Sequence, residues 1–264
     1  MTRLYFTVDA VIQETGVSSV YRGTIVSQLK NGTGLKVNTR KHDFKEGSKY
    51  VLKIYGEKLR YDNEHAVFKL IAQNPHPYLL TPIVSERSTL TAFFKAGDDD
   101  LFNYCAKDGD LTIHQKNIIA SRITEAVKHL HSLGVLHADL KLENVIYFGE
   151  PEILQVIDFT HAKIVDQIDR TQKWKQMIGT KSLSPPEVQD GFDYDHALKI
   201  DSWLLALVLY ELYTWTDPLQ NGKGLSLKKK LIDDSDIYKT LAALTHQDPE
   251  ARMAVVDIDT RIFK

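Results

Sequence analysis

The chain is 264 residues long, 43% hydrophobic and 26% charged, the balance of a soluble globular protein with a sizeable core. A formal net charge of -2 gives no bulk basic face for nucleic acid or an anionic membrane, and a single cysteine, Cys105, excludes an internal disulfide and fits a reducing compartment. No apolar run reaches transmembrane length, so the expectation is an intracellular, soluble protein of the cytoplasm or nucleus, with no membrane and no nucleic-acid partner.

Residues 1 to about 56 read as strands, because β-branched and aromatic residues alternate with polar ones around Val11-Ile12, Val20-Tyr21 and Lys49 to Tyr55. Between the first two lies Glu14-Thr15-Gly16-Val17-Ser18-Ser19-Val20-Tyr21, which taken alone is a hairpin turn. Asn31-Gly32-Thr33-Gly34 is a second turn signal, set among basic residues. In Val51-Leu52-Lys53, the lysine is flanked by apolar residues on a strand, the third in this reading, so it is either an edge charge or a buried cation that needs a partner. Val67, Leu70 and Ile71 at helical spacing make Asp62 to Ile71 a helix, closed by Asn74-Pro75, and Glu64 on it is the candidate partner.

Leu90-Thr91-Ala92-Phe93-Phe94 reads as a buried strand and Lys95-Ala96-Gly97 as a break. Asp98-Asp99-Asp100 then opens a helix at Leu101, where acids suit the helix dipole. Ile113, Ile118, Ile119, Ile123, Val127 and Leu130 mark a long helix from Thr112 to about Leu133, ended by Gly134. It delivers the chain to His137-Ala138-Asp139-Leu140-Lys141-Leu142-Glu143-Asn144-Val145, a compact polar set between two hydrophobic segments. In isolation such a loop is either a solvated turn or the rim of a cleft. Val145-Ile146-Tyr147 and Leu154 to Ile157 form a two-strand unit that ends at Asp158. Residues 159 to 187 lack periodicity and finish in Gly179-Thr180-Lys181-Ser182-Leu183-Ser184-Pro185-Pro186-Glu187. Ile200 to Leu212 is apolar nearly all round, hence a buried helix, too short to span a bilayer.

Moving a phosphoryl group from ATP needs positioned charge more than covalent help from the protein. One carboxylate must take or orient the hydroxyl proton. A second carboxylate and an amide must hold magnesium, and a lysine must steady the phosphates. Asp139, Asp158, Asn144 and Lys53 have the chemistry for those four roles.

The stretch His137 to Asn144 resembles the catalytic loop of eukaryotic protein kinases, His-Arg-Asp-x-Lys-x-x-Asn. Seven further segments resemble kinase motifs in the same order: a worn glycine-rich loop at Glu14 to Tyr21, Lys53 on its strand, Glu64 on the following helix, Asp158-Phe159-Thr160, Pro185-Pro186-Glu187, Asp201-Ser202-Trp203 and Asp248-Pro249-Glu250-Ala251-Arg252. The resemblance covers almost the whole chain. It implies one α+β kinase domain over residues 1-264, with a β-rich N-lobe to about residue 95, a helical C-lobe after it and ATP in the cleft between. In that likeness Asp139, Lys141, Lys53 and Glu64 are catalytic, and Asn144 and Asp158 hold Mg2+, with Mn2+ as the alternative. Glu14, Gly16, Ser19, Tyr21, Val51, Lys53, Phe93, Phe94, Asp100 and Ile146 contact the nucleotide, with Phe93 as the bulky residue behind the adenine. Asp201 holds the catalytic-loop backbone and Arg252 pairs with Glu187.

Lys141 is the serine/threonine form of the loop, and Glu143 with Asp100 suits arginines ahead of the acceptor, so the implied substrates are basic proteins with serine or threonine acceptors. Ala138 stands where most kinases carry the arginine that binds an activation-segment phosphate, so activity should not require phosphorylation of Thr171, Thr180 or Ser182. Glu14 and Ser19 replace loop glycines, Val51 replaces a smaller alanine, and Thr160 replaces a glycine. These departures leave a second reading open, a pseudokinase scaffold that binds partners with little or no phosphotransfer. The Lys141-Leu142-Glu143-Asn144 wording and the compact chain also resemble the short serine/threonine kinases of large insect DNA viruses, the baculoviruses among them, which would place the protein in a host cell.

Overall fold

The computed structural model describes residues 4–29, 33–37, 44–108, 111–167, 179–190, 196–219, 225–228, 232 and 235–264; the Asn31-Gly32 turn and Thr171 lie outside these. The chain divides into two compact units, Met1–Phe68 with Leu80–Ala96, and Lys69–Leu79 with Gly97–Lys264. The first is mostly β and the second mostly helical, which is the α+β class.

In the first unit, β1 (Leu4–Glu14), β2 (Ser18–Val26), β3 (Leu35–Val37), β4 (Lys49–Tyr55), β5 (Val84–Glu86) and β6 (Thr91–Lys95) form one antiparallel sheet in the order β3-β1-β2-β4-β6-β5. The short β3 intervenes, so the lysine strand is fourth in chain order rather than third. Phe6, Ile25, Tyr50, Leu52 and Phe93 alternate onto one face, where Val37 and Phe44 join them to close a core. Phe93 is its centre: its ring meets those of Phe6 and Phe44 edge to face at 5.5 and 5.2 Å. The far end of β1 runs on beyond its pairing with β3, and Val11 and Ile12, read as strand, are strand residues 57% and 56% exposed.

The other face of the sheet carries Lys53. Only Gly56 and Glu57 separate β4 from helix α1 (Lys58–Gln73), the short connection the spacing suggests. Val67 and Phe68 are buried, and Phe68 packs on Phe94 of β6 at 5.7 Å between ring centroids. Leu90, expected inside β6, instead takes a left-handed backbone (φ 51) just before it, and its carbonyl accepts the Tyr55 N–H at 2.9 Å.

The second unit runs through β7 (Asp99–Asp100), α2 (Leu101–Asp108), α3 (Ile113–Ser132), β8 (Val135–Leu136), β9 (Val145–Phe148), β10 (Glu150–Val156), β11 (Lys163–Ile164), α4 (Glu187–Asp190), α5 (Lys199–Thr214) and α6 (Ser235–Leu244). Thr112 opens α3 with a capping box: its hydroxyl accepts the Gln115 N–H while the Gln115 side chain takes the Thr112 N–H. Ile119, Ile123, Val127 and Leu130 form the buried stripe of α3, and α5 is buried on nearly every side from Ile200 to Tyr213. These two helices are the floor on which the polar loop is built.

Candidate active site

In the first unit the site begins with Lys53. Its ammonium lies 3.0 and 2.8 Å from the two carboxylate oxygens of Glu64, one turn and a half into α1, and both side chains are buried. Neither charge would be held dry without the other. The Tyr55 ring lies 5.2 Å from the same ammonium.

Cross-strand pairing settles which neighbours share this face, because directly opposed residues of an antiparallel pair point the same way. Lys53 opposes Val20 and Ala92, and Val51 opposes Arg22 and Phe94. Phe94 therefore lies on the lysine face, as its contact with α1 requires. Phe93 opposes Leu52 and belongs to the core on the far side, so the phenylalanine that shares the face of Lys53 is Phe94, not Phe93.

The same one-residue correction applies to the hairpin. Tyr21 opposes Leu52 and Ser19 opposes Ile54, while Glu14 accepts a hydrogen bond from the Tyr21 hydroxyl at 3.0 Å; all three lie on the face away from Lys53. Gln13, Ser18 and Val20 occupy the lysine face, and none is glycine. Spacing alone cannot exclude a slip of one residue, and such a slip moves every side chain to the opposite face.

Thr15 closes the hairpin. Its hydroxyl accepts the N–H groups of Val17 and Ser18, both at 3.1 Å, and donates to the Ser18 carbonyl. Two backbone donors of the kind that cradle phosphate are thus already occupied. Thr15→Ala should release them and lower the KM for ATP by about threefold to tenfold, the range expected for one or two neutral hydrogen bonds. Steady-state kinetics at varied ATP would check this; an unchanged or higher KM would mean the turn does not serve the phosphates.

In the second unit, buried Asp201 at the start of α5 accepts the N–H groups of His137 and Ala138 at 2.8 and 2.9 Å and faces His131 Nε2 at 3.0 Å. This clamp holds Ala138 in a left-handed conformation (φ 67) that an alanine adopts only under constraint. His137 is fully buried, and its Nε2 donates to the Ile157 carbonyl at 2.9 Å. The loop is thereby tied to the residues that follow β10, which ends at Val156, two before Asp158 rather than at it.

Asp139 is the meeting point. Lys141 Nζ lies 3.2 Å from Oδ2, and Asn144 Nδ2 donates to Oδ2 at 3.1 Å and to the Asp139 carbonyl at 2.7 Å. Thr180 donates to Oδ1 through both its backbone N–H and its hydroxyl, each at 2.8 Å, and its hydroxyl accepts from Lys141 at 3.0 Å. Thr180 enters this group only through the structure; in the sequence it reads as one hydroxyl among several near the end of an aperiodic segment. Gly179 brings it there, since a Cβ at that position would stand 2.2 Å from the Ala138 carbonyl oxygen and φ is +60°. The segment is pinned further on by Trp203 Nε1, which donates to the Leu183 carbonyl at 3.1 Å. Arg252, buried, grips Glu187 at 2.5 and 2.9 Å, as the resemblance implied.

The donor set fits a magnesium ion shared with phosphates. Both Asp139 atoms that meet Asn144 are acceptors, so the amide must present its nitrogen to them, and Oδ1 is the atom that would meet an ion. Ile157, next to Asp158, donates its N–H to the Asn144 carbonyl at 2.9 Å. One carboxylate and one amide suit Mg2+, which retains water and phosphate ligands; among the described residues no cluster of three or more His, Cys, Asp or Glu forms an all-protein cage.

Asp100 and Ile146 are opposed across β7 and β9, and Ile146 lies against Gly97, where a Cβ would stand 2.0 Å from its Cγ2. Asp100 caps α2 by accepting the Asn103 N–H at 2.8 Å and the Asn103 side-chain amide at 2.6 Å.

The protein kinase domain model matches residues 27–257. A RAC family serine/threonine-protein kinase homolog of Dictyostelium discoideum is 26% identical over 242 residues, which are 85% of this chain and 53% of that protein. Serine/threonine-protein kinase AtPK1/AtPK6 of Arabidopsis thaliana is 29% identical over 145 residues, 52% of this chain and 30% of that protein. The SNF-related serine/threonine-protein kinase of Homo sapiens is 24% identical over 200 residues, 72% of this chain and 26% of that protein. The chain thus spans about half or less of the length of these relatives. With a family match over most of its length, the chain belongs to the eukaryotic-type serine/threonine protein kinase family.

Proposed function

We propose that the chain is an active kinase that transfers the γ-phosphate of ATP to serine and threonine hydroxyls of basic proteins. The observation that carries this reading is the Thr180 hydroxyl, seated between the Asp139 carboxylate at 2.8 Å and the Lys141 ammonium at 3.0 Å. A short aliphatic hydroxyl fits between the group that takes its proton and the cation that meets the arriving phosphate. Asp139 orients and accepts the proton of the substrate hydroxyl, and Lys141 stays beside it. Lys53, held by Glu64, steadies the phosphates, while Val51, Phe94 and Ile146 are the apolar contacts for the base. Asn144 and Asp158 would hold Mg2+, or Mn2+, and the ion supplies neutralising charge to the phosphates when bound.

Substrate preference rests on a group of acids in the second unit. Burial raises the Glu211 carboxyl to about 7, and the charges of Glu143 and Asp217 push in the same direction. The Cys105 thiol, pushed up to about 11 chiefly by burial, also feels Glu211 and Asp100. Such a group is relieved by a guanidinium, which pairs with carboxylates bidentately. Because Glu211 is neutral below about pH 7 and charged above it, the KM for arginine-containing peptides should fall as pH rises from 6 to 8. A serine-peptide array with labelled ATP–Mg2+ should show arginine favoured two or three residues before serine, and Glu143→Ala or Glu211→Gln should flatten that preference. Label on no peptide, or a preference for acidic ones, would overturn the reading.

The pseudokinase reading draws support from the hairpin, whose Val17 and Ser18 amides are taken by Thr15. It predicts partner binding without transfer. The likeness to insect-virus kinases in the Lys141 to Asn144 stretch supports work inside a host cell.

A further inference from the structure

Asp158 is followed not by the phenylalanine–glycine pair of the family but by Phe159-Thr160, and the threonine is engaged. Asp158 has a left-handed backbone (φ 63, ψ 76), a conformation that costs an aspartate free energy unless its surroundings fix it. It stands at the head of a short 3-10 turn, Phe159–His161. Thr160 supplies the fixing contacts: its hydroxyl donates to Asp158 Oδ1 at 2.5 Å, and its backbone N–H reaches the same oxygen at 3.4 Å. Glycine could furnish only the backbone bond. Around this contact the segment is held on every side. Ile157 is bonded at its N–H by Asn144 and at its carbonyl by His137, and Phe159 is fully buried with its ring 5.2 Å from that of His137. The Phe159 carbonyl accepts the Ala162 N–H at 3.1 Å.

We infer that Thr160 is a positioning residue for the metal-binding carboxylate: its hydroxyl fixes the orientation of Asp158 in advance of the divalent cation, and so sets the affinity for metal-bound nucleotide. The inference rests on the kinase reading of Asp158 above. A carboxylate that must be turned into place when the ion arrives loses conformational freedom at that moment, whereas one already held does not. Hydrogen-bonded partners of metal ligands commonly carry such an effect, with losses of about 10–100-fold when they are removed. The replacement of glycine by threonine is then a gain of ligand order, not erosion of the motif.

The test uses Thr160→Val, which keeps the shape and the β-branch but removes the hydroxyl, and Thr160→Ser, which restores it. ATP affinity is measured by calorimetry at a series of Mg2+ concentrations, and Mn2+ binding by paramagnetic resonance, with thermal unfolding of the metal-free chain as the control for folding. Thr160→Val should need about tenfold more Mg2+ for half-maximal nucleotide binding, Thr160→Ser should match wild type, and the unfolding temperatures should agree. Equal Mg2+ dependence in wild type and Thr160→Val would overturn the inference, as would a loss that serine does not restore or one that follows the unfolding temperature. If wild type bound no metal-dependent nucleotide, the kinase reading itself would fall and this inference with it, and that result is distinct from an unaltered Thr160→Val.

Discussion

Asp139→Asn is expected to lower phosphoryl transfer by about 10²–10⁴-fold, the contribution usual for a positioned general base, while nucleotide affinity stays at the wild-type level. The asparagine is nearly isosteric, but it cannot accept a proton and it removes the charge that faces Lys141 at 3.2 Å. With its amide nitrogen in the place of Oδ1 it also loses the Thr180 hydrogen bonds, while its oxygen in the place of Oδ2 and its backbone carbonyl still accept from Asn144. In the proposed reading the nucleotide and its ion are held by Lys53, Asn144 and Asp158. Transfer of labelled phosphate together with titration of a fluorescent ATP analogue separates the two effects. A variant that retains transfer would remove Asp139 from the chemistry, and one that loses nucleotide binding would give it a structural role instead.

The second large effect concerns the buried pair. Lys53→Met should destabilise the chain by about 3–5 kcal/mol, because it removes the cation that both oxygens of the buried Glu64 carboxylate meet. Glu64 is 1% exposed and has both oxygens on the lysine ammonium. Adding Glu64→Leu to Lys53→Met should recover most of that stability, since an apolar pair of similar volume fills the site without a charge to desolvate. It should not recover transfer, which needs the cation. Denaturant unfolding of the wild type, both single variants and the double variant gives the cycle. If the double variant were as unstable as Lys53→Met, the cost would lie in packing and not in the stranded charge.

The division between what the sequence reveals and what it conceals follows residue chemistry. Lys53, Glu64, Asp139, Asn144, Asp201 and the Glu187–Arg252 pair are legible because a charge between apolar runs has few explanations, and several in order have fewer. Facing is harder to read. Phe93 and Phe94 are adjacent and identical, and only the pairing of β4 with β6 shows that Phe94 shares the lysine face. The hairpin register is hidden for the same reason, since Thr15 and its turn fix it by contacts that no periodicity records. Hydroxyls are the least legible of all. Thr15, Thr160 and Thr180 act through hydroxyl hydrogen bonds whose partners lie either two or three residues away or some forty, and composition treats all three alike. Asp100 shows the reverse case: its acidity is legible, but the capping bonds that its carboxylate accepts from Asn103 are not.

The central claim, that Asp139 and its neighbours transfer phosphate to a short hydroxyl, is tested most directly by one measurement. The wild-type chain is incubated with γ-labelled ATP, Mg2+ and a generic basic protein, and the labelled product is hydrolysed to its amino acids. Phosphoserine and phosphothreonine should carry the label. Label mainly on tyrosine, or bound nucleotide with no transfer at all, would contradict the account.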